Sequence, residues 1–226
     1  MENLIIVGTS HIARQSIHEV THAIDAAKPD IIAIELDRGR LAHLLHPQKS
    51  RTRLSDIRRV GVKGWLFGLF GAWAERALGK HVGVAPGQDM LTAVRLARER
   101  KLPLALVDQE IAITLKRFSQ ALTWREKGRF LVDVIKGVIF REKELGFDLR
   151  TVPSKQVIAR LLDRVKRRYP NVYRVLVTER NHVMARNLAH LLRLHPDKKV
   201  VAIVGAGHEK ELEALVRQRL ASTKAI

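Results

Sequence analysis

Four short, mainly apolar runs constrain this chain more than any other feature: "LIIV" (4–7), "IIAIE" (31–35), "LALVD" (104–108) and "VVAIV" (200–204). A strand that faces water on one side alternates apolar with polar residues, whereas a continuous run suits a parallel strand covered on both faces. Between the first two runs lies "ARQSIHEVTHAIDAA" (13–27), with Ile17, Val20 and Ile24 at helical spacing, and "KPD" follows as a stop. This is a βαβ unit with a right-handed crossover. After the last run, "EKELEALVRQRL" sets Leu212, Leu215 and Val216 on one face and places glutamates in the first turn, where the helix dipole favours them. The pattern predicts an α/β fold with a central, mostly parallel sheet flanked by helices.

With 226 residues and 46% hydrophobic composition, the chain can bury a sizeable core, and residues 1–226 are read as one α/β domain. Two regions depart from strand–helix alternation. Residues 51–85 contain "GVKGWLFGLFGAWAERALGKH", read as a Gly/Trp/Phe-rich helical insertion that is too short and glycine-broken for a membrane span. It is a candidate for burial inside a homodimer or for contact with a membrane surface. Residues 110–195 read as successive helices, broken near Gly146, Pro153 and "YPN" (169–171). The N-terminus lacks the basic and long apolar regions of a secretion signal, so a cytoplasmic or peripherally membrane-associated location is expected.

Cysteine is absent, which excludes thiolate nucleophiles and cysteine metal sites, so any metal must be held by His and carboxylates. The formal net charge of +18 implies attraction to an anionic partner such as an acidic membrane surface. Aromatic residues make up only 5% of the chain, which argues against single-stranded nucleic acid as that partner.

The first and last strands end alike, in Gly8-Thr9-Ser10-His11 and Gly205-Ala206-Gly207-His208. Ligands of an open parallel sheet sit outside the carboxyl ends of its strands, so both histidines belong at the functional rim. Glu35 and Asp108 end the other two strands there. Two imidazoles and two carboxylates meet in one pocket if the four strands are neighbours. The Gly205-Ala206-Gly207 turn does not complete a dinucleotide fingerprint, because position 210 is Lys where a third glycine is required, and no Walker-type loop occurs.

A further carboxylate lies in "NVYRVLVTERNHVMARNLAHLL" (171–192), read as one long helix capped by Asn171. At 100° per residue, Val172, Leu176, Glu179 and Val183 share a face, which turns Glu179 toward apolar packing. There it needs a cationic partner or a metal. It is either an ion pair locking the helix in place or a catalytic group. His18 and His22 have the i, i+4 spacing of a metal pair but fall away from the apolar face, and His43 and His46 sit at a helix end. None of these four is taken as a ligand.

Taken together, "GTSH", "PDIIAIELDRGRL", "APGQDMLTAVRLA", "VDQEIAITLKR", "TERNHVMARNL" and "VVAIVGAGH" occur in the order found in the TraB/PrgY/GumN family, which the chain resembles. That group includes the Tiki metalloproteases and is related to the erythromycin esterases and the haem-binding protein ChaN. The resemblance implies their three-layer α/β fold and a pocket built from both Gly-x-x-His motifs and a glutamate. Carried over, His11, Glu35 and His208 would hold a divalent ion (Mn, Co, Fe or Zn), with Arg180 and Asn181 as supporting polar groups. Asp89 stands where the family usually has Glu, and Gln109 where Arg is common. Prokaryotic members commonly carry a C-terminal membrane region, and the chain stops after "RQRLASTKAI".

The resemblance implies metal-dependent peptide cleavage, as linked to Tiki-like members, or lowering of a peptide signal, as linked to pheromone-shutdown members. The leading reading built on it is metal-assisted hydrolysis, with Glu179 or Asp108 as general base and Arg180 on the oxyanion. Two rivals use the same pocket. In one, His11 activates water without a metal and Glu35 orients its ring. In the other, the protein is a non-catalytic binder of a peptide or small ligand, docked on anionic lipid or a partner.

Overall fold

The computed structural model describes residues 3–9, 14–46, 87–126, 128, 129, 132, 133 and 155–222. The insertion at 51–85, with Trp65 and Trp73, lies outside the described residues, and so do Gly146, Pro153 and His11. The elements in order are β1 (Leu4–Thr9), α1 (Arg14–Ala27), β2 (Ile31–Ile34), α2 (Arg38–Leu45), α3 (Gln88–Glu99), β3 (Leu104–Leu106) and α4 (Ile111–Ala121). They continue with α5 (Lys155–Arg168), α6 (Pro170–Tyr173), a π-helical turn (Arg174–Thr178), α7 (Glu179–Leu194), β4 (Val200–Gly205) and α8 (Glu209–Ser222).

The four strands form one parallel sheet in the order β1-β4-β2-β3. The last strand inserts between the first two, pairing Leu4 with Val200 and Thr9 with Gly205 on one side, and Ile31 with Val200 and Ile34 with Ile203 on the other. Bonded on both edges and covered on both faces, β4 is buried at all six positions. Successive side chains of a strand alternate between faces. Val201 and Ile203 pack with Val20 and Ile24 of α1 and Met90 and Val94 of α3. Val200, Ala202 and Val204 pack with Met184, Leu188 and Leu192 of α7 and Leu212 and Val216 of α8. The continuous apolar run is therefore the signature of a strand that feeds two cores, and the fold is a three-layer α/β arrangement. No helix among the described residues is long and apolar enough to cross a membrane.

The region 170–194 differs from the single capped helix expected from sequence. Tyr169 takes the N-cap position and Pro170 the first turn, as suits a residue with no N–H to leave unpaired. Asn171 lies inside that turn, where its backbone N–H and side-chain amide donate to Glu126 at 2.8 and 2.9 Å. The π turn then inserts extra chain before α7. An extra residue slips the helical phase by about 100°. Within α7, Asn181, Met184, Ala185 and Leu188 face the core, and Glu179, about 160° round the same helix from Asn181, does not.

Gly8 of β1 marks a close approach: a Cβ there would lie 2.6 Å from Glu209 Oε2 and 3.0 Å from the Cα of Ala206. A Cβ on Gly207 would meet nothing nearer than Leu162 at 3.6 Å. Gly8→Ala is expected to cost about 1–3 kcal/mol, because the backbone at Ala206 must move. Gly207→Ala should be nearly neutral. Urea unfolding of the two variants against wild type checks the contrast.

Candidate functional site

The strand order sets the carboxyl ends in a row. Glu35 leaves β2 with its backbone N–H still bonded to Ile203 O at 3.0 Å, and its Oε2 accepts the backbone N–H of Gly205 at 2.6 Å. Asp108 follows β3, held by Val107 N–H on Ile34 O at 3.1 Å and by its own Oδ1 accepting from Gln109 N–H at 2.8 Å. His208 sits in the turn after β4, its backbone N–H on Gly205 O at 2.8 Å. The register pairs Thr9 with Gly205, so the described ends of β1 and β4 lie side by side. His11 itself is outside the described residues.

Arg180 gathers these ends. From the start of α7 its Nη2 donates to Glu35 Oε1 and, at 2.5 Å, to Asp108 Oδ2, while Nε reaches Asp108 Oδ2 at 3.1 Å. Burial works against the guanidinium charge, but the Glu35 and Asp108 carboxylates outweigh it and raise its pKa. The two carboxylate side chains are only 4% and 0% exposed, so each depends on this cation. Arg40 adds a second cation on Asp108, and is itself steered by Asp37, the N-cap of α2, through Nε at 2.6 Å.

His208 closes the cluster. Its Nδ1 lies 2.6 Å from Asn181 Oδ1, and its Nε2 lies 3.3 Å from Arg180 Nη1 and 3.4 Å from Glu35 Oε1. That last spacing is informative for a metal. Two donors each about 2.1 Å from one tetrahedral ion stand roughly 3.4 Å apart, so His208 Nε2 and Glu35 Oε1 fit as two of its ligands. No group of three candidate ligands occurs among the described residues, and a third would have to come from outside them, where His11 lies. The Arg180 contact to Glu35 occupies the same oxygen, so cation binding would require that contact to loosen.

Of the residues named from sequence, the structure brings together Glu35, Asp108, Arg180, Asn181 and His208. Glu179 is placed elsewhere: Arg117 of α4 grips it with a fork of 2.9 and 3.0 Å, and Arg174 stands at 3.8 Å. Its ion pair ties α4 to α7. His18, His22, His43 and His46 are exposed. Asp89, buried in the first turn of α3, accepts the Thr9 hydroxyl and so anchors the end of β1. Arg40 and Asp37 were not singled out from sequence. The local signal for them was a helix-capping Asp followed three residues later by Arg, directly after the strand that ends in Glu35.

Burial alone would raise the Asp37 pKa; hydrogen bonds and charge from Arg40, with the Gly39 N–H, outweigh it and hold the carboxyl below its ordinary 3.8. Asp37→Asn retains a capping oxygen and removes the charge. Because the folded-state pKa is lowered, the wild-type stability advantage over Asp37→Asn should be complete above about pH 4 and disappear as pH falls through the lower folded value. Denaturant midpoints of both proteins at stepwise lower pH measure this.

The fold and rim together define a parallel α/β protein with a buried His–carboxylate–Arg cluster at the strand ends. The model of the TraB/PrgY/gumN family matches residues 2–218, and the chain belongs to that family. It is 31% identical over 219 residues to an uncharacterized protein of Methanocaldococcus jannaschii, covering 95% of this chain and 53% of that one. It is 26% and 25% identical to the TraB domain-containing proteins of Bos taurus and Homo sapiens, covering 92% of this chain and 61% of each relative. The chain thus spans about half to three fifths of the length of these relatives.

Proposed function

We propose that the protein is a metal-dependent hydrolase acting on a peptide. The observation that carries this reading is the meeting of His208 Nε2 and Glu35 Oε1 at 3.4 Å, beneath a guanidinium and beside the strand that leads to His11. In this reading His11, Glu35 and His208 hold a divalent ion such as Mn, Co, Fe or Zn. When bound, the ion would polarise a carbonyl and lower the pKa of attached water toward neutrality. Arg180 draws off Glu35 toward Asp108 and donates to the oxyanion that develops on the substrate. Asp108 serves as the anchor of Arg180: two guanidiniums and the Gln109 N–H already occupy its oxygens.

The test is cleavage of a peptide library, read by mass spectrometry, with protein reconstituted in each of the four metals and with chelator. Cleavage that appears with one metal and stops with chelator supports the reading. Its absence with all four, under conditions where the protein stays folded, overturns it.

A non-catalytic binding role draws on a different observation: Glu35, Asp108, Arg180 and Arg40 neutralise one another. A binder would retain a peptide in equilibrium dialysis without cleaving it. The +18 charge supports docking on an anionic membrane surface; liposome flotation at varied salt, with Trp65 and Trp73 replaced, tests whether the 51–85 segment contributes.

A further inference from the structure

We infer that Glu211 is a positioning residue that fixes the tautomer of His208 through the side-chain amide of Asn181. The relay runs inward from α8. Glu211 Oε2 accepts from Asn181 Nδ2 at 2.9 Å and from the Tyr173 hydroxyl at 3.3 Å. Burial and the neighbouring Glu211 carboxylate push the Tyr173 phenol up, which keeps that hydroxyl a donor.

An amide has one donor end and one acceptor end. With a carboxylate on one side, Asn181 must turn its NH2 toward Glu211, because the flipped amide would set its carbonyl oxygen against a carboxylate oxygen. Asn181 Oδ1 is thereby committed to His208, 2.6 Å from Nδ1. An oxygen acceptor at that distance requires the proton on Nδ1. Nε2 then carries the lone pair, and it is Nε2 that faces Glu35 Oε1 and the N–H of Arg180 Nη1. The opposite tautomer would point an N–H at a guanidinium N–H. Asn181 is fully buried, so no solvent competes for its amide. Glu211 itself lines a groove of about 600 Å³ between α5 and α8, which leaves room for an isosteric replacement.

The catalytic consequence rests on the proposed hydrolase, whereas the tautomer does not. Protein labelled with 15N at histidine, held metal-free by chelator and raised in pH until the ring signals stop changing, reports ring protonation through long-range 1H–15N couplings. Loss of signals in His208→Gln assigns the residue. Wild type should show His208 protonated at Nδ1 and bare at Nε2. Glu211→Gln, whose amide can donate to a flipped Asn181, should bring up the Nε2–H form, and Glu211→Ala should do the same. Asn181→Asp combined with Glu211→Gln moves the negative charge one step inward and should restore the wild-type pattern.

A wild-type His208 protonated at Nε2, or a Glu211→Gln spectrum identical to wild type, overturns the inference. Wild type alone suffices if the variants do not fold. Once a cleaved peptide is known, Glu211→Gln should lower kcat about tenfold, the scale of losing a partner behind a ligand. The expected tautomer pattern without any hydrolysis would refute the hydrolase and leave the relay standing; hydrolysis with the opposite tautomer would do the reverse.

Discussion

Arg180→Met should lower the stability of the folded protein by about 3–5 kcal/mol, the usual cost of removing one partner from a buried ion pair. For a chain of this size that corresponds to a melting temperature lower by roughly 6–20 °C. The cause is specific. Glu35 would retain the Gly205 N–H and the His208 ring at 3.4 Å, and Asp108 would retain Arg40, but the cation shared by both carboxylates would be gone. Arg180→Lys keeps the charge and loses the fork that reaches both acids, so it should fall between the two. Thermal unfolding followed by circular dichroism orders the three proteins, and a Met variant as stable as wild type would show that the cluster is not held by this cation.

In the proposed hydrolase, His208→Ala removes one of the ion's ligands and should lower peptide cleavage by at least about 10–100-fold, the cost of losing even a partner behind a ligand. The effect on folding should be much smaller than that of Arg180→Met. The imidazole lies in the turn that follows β4, and Glu35 beneath it keeps its backbone N–H on Ile203 O and its carboxylate on the Gly205 N–H. A variant with a wild-type melting curve and no cleavage would separate chemistry from stability. Retained cleavage would exclude His208 from the reaction.

The strands were legible because each satisfies a local rule: "VVAIV" is apolar throughout, and β4 is covered on both faces and paired on both edges. The placement of Glu35 and Asp108 at one rim followed from the same rule, since parallel strands end on one side. Strand order was not legible. Nothing within residues 200–205 tells that they insert between β1 and β2, a pairing set by contacts almost the length of the chain apart. The echo of Gly-x-x-His after β1 and β4 hinted at it, and Gly8, which packs against Ala206 and Glu209, gives the echo a steric reason.

The buried face of the long helix was misread. A constant 100° step from Val172 put Glu179 toward apolar packing, whereas α7 buries Asn181, Met184, Ala185 and Leu188, about 160° round from Glu179, so that Arg180 reaches Glu35 and Asp108 and Glu179 is left to Arg117. The π turn at Arg174–Thr178 shifts Val172 and Leu176 in phase against α7, and a stretch like "RVLVT" carries no composition signal for it. Arg40 and Arg117 were hidden for a simpler reason: in a chain with 41 Lys and Arg residues, an unremarkable arginine gives no sign of which acid it will meet.

The most direct measurement is anomalous diffraction from a crystal of the protein soaked in Mn(II), which locates the ion without reference to activity. The expected result is one strong peak about 2.0–2.2 Å from both His208 Nε2 and Glu35, with the His11 imidazole as a third neighbour and Arg180 withdrawn toward Asp108. Full Mn(II) occupancy elsewhere on the protein, with Arg180 still seated on Glu35, would contradict a metal centre at the strand ends.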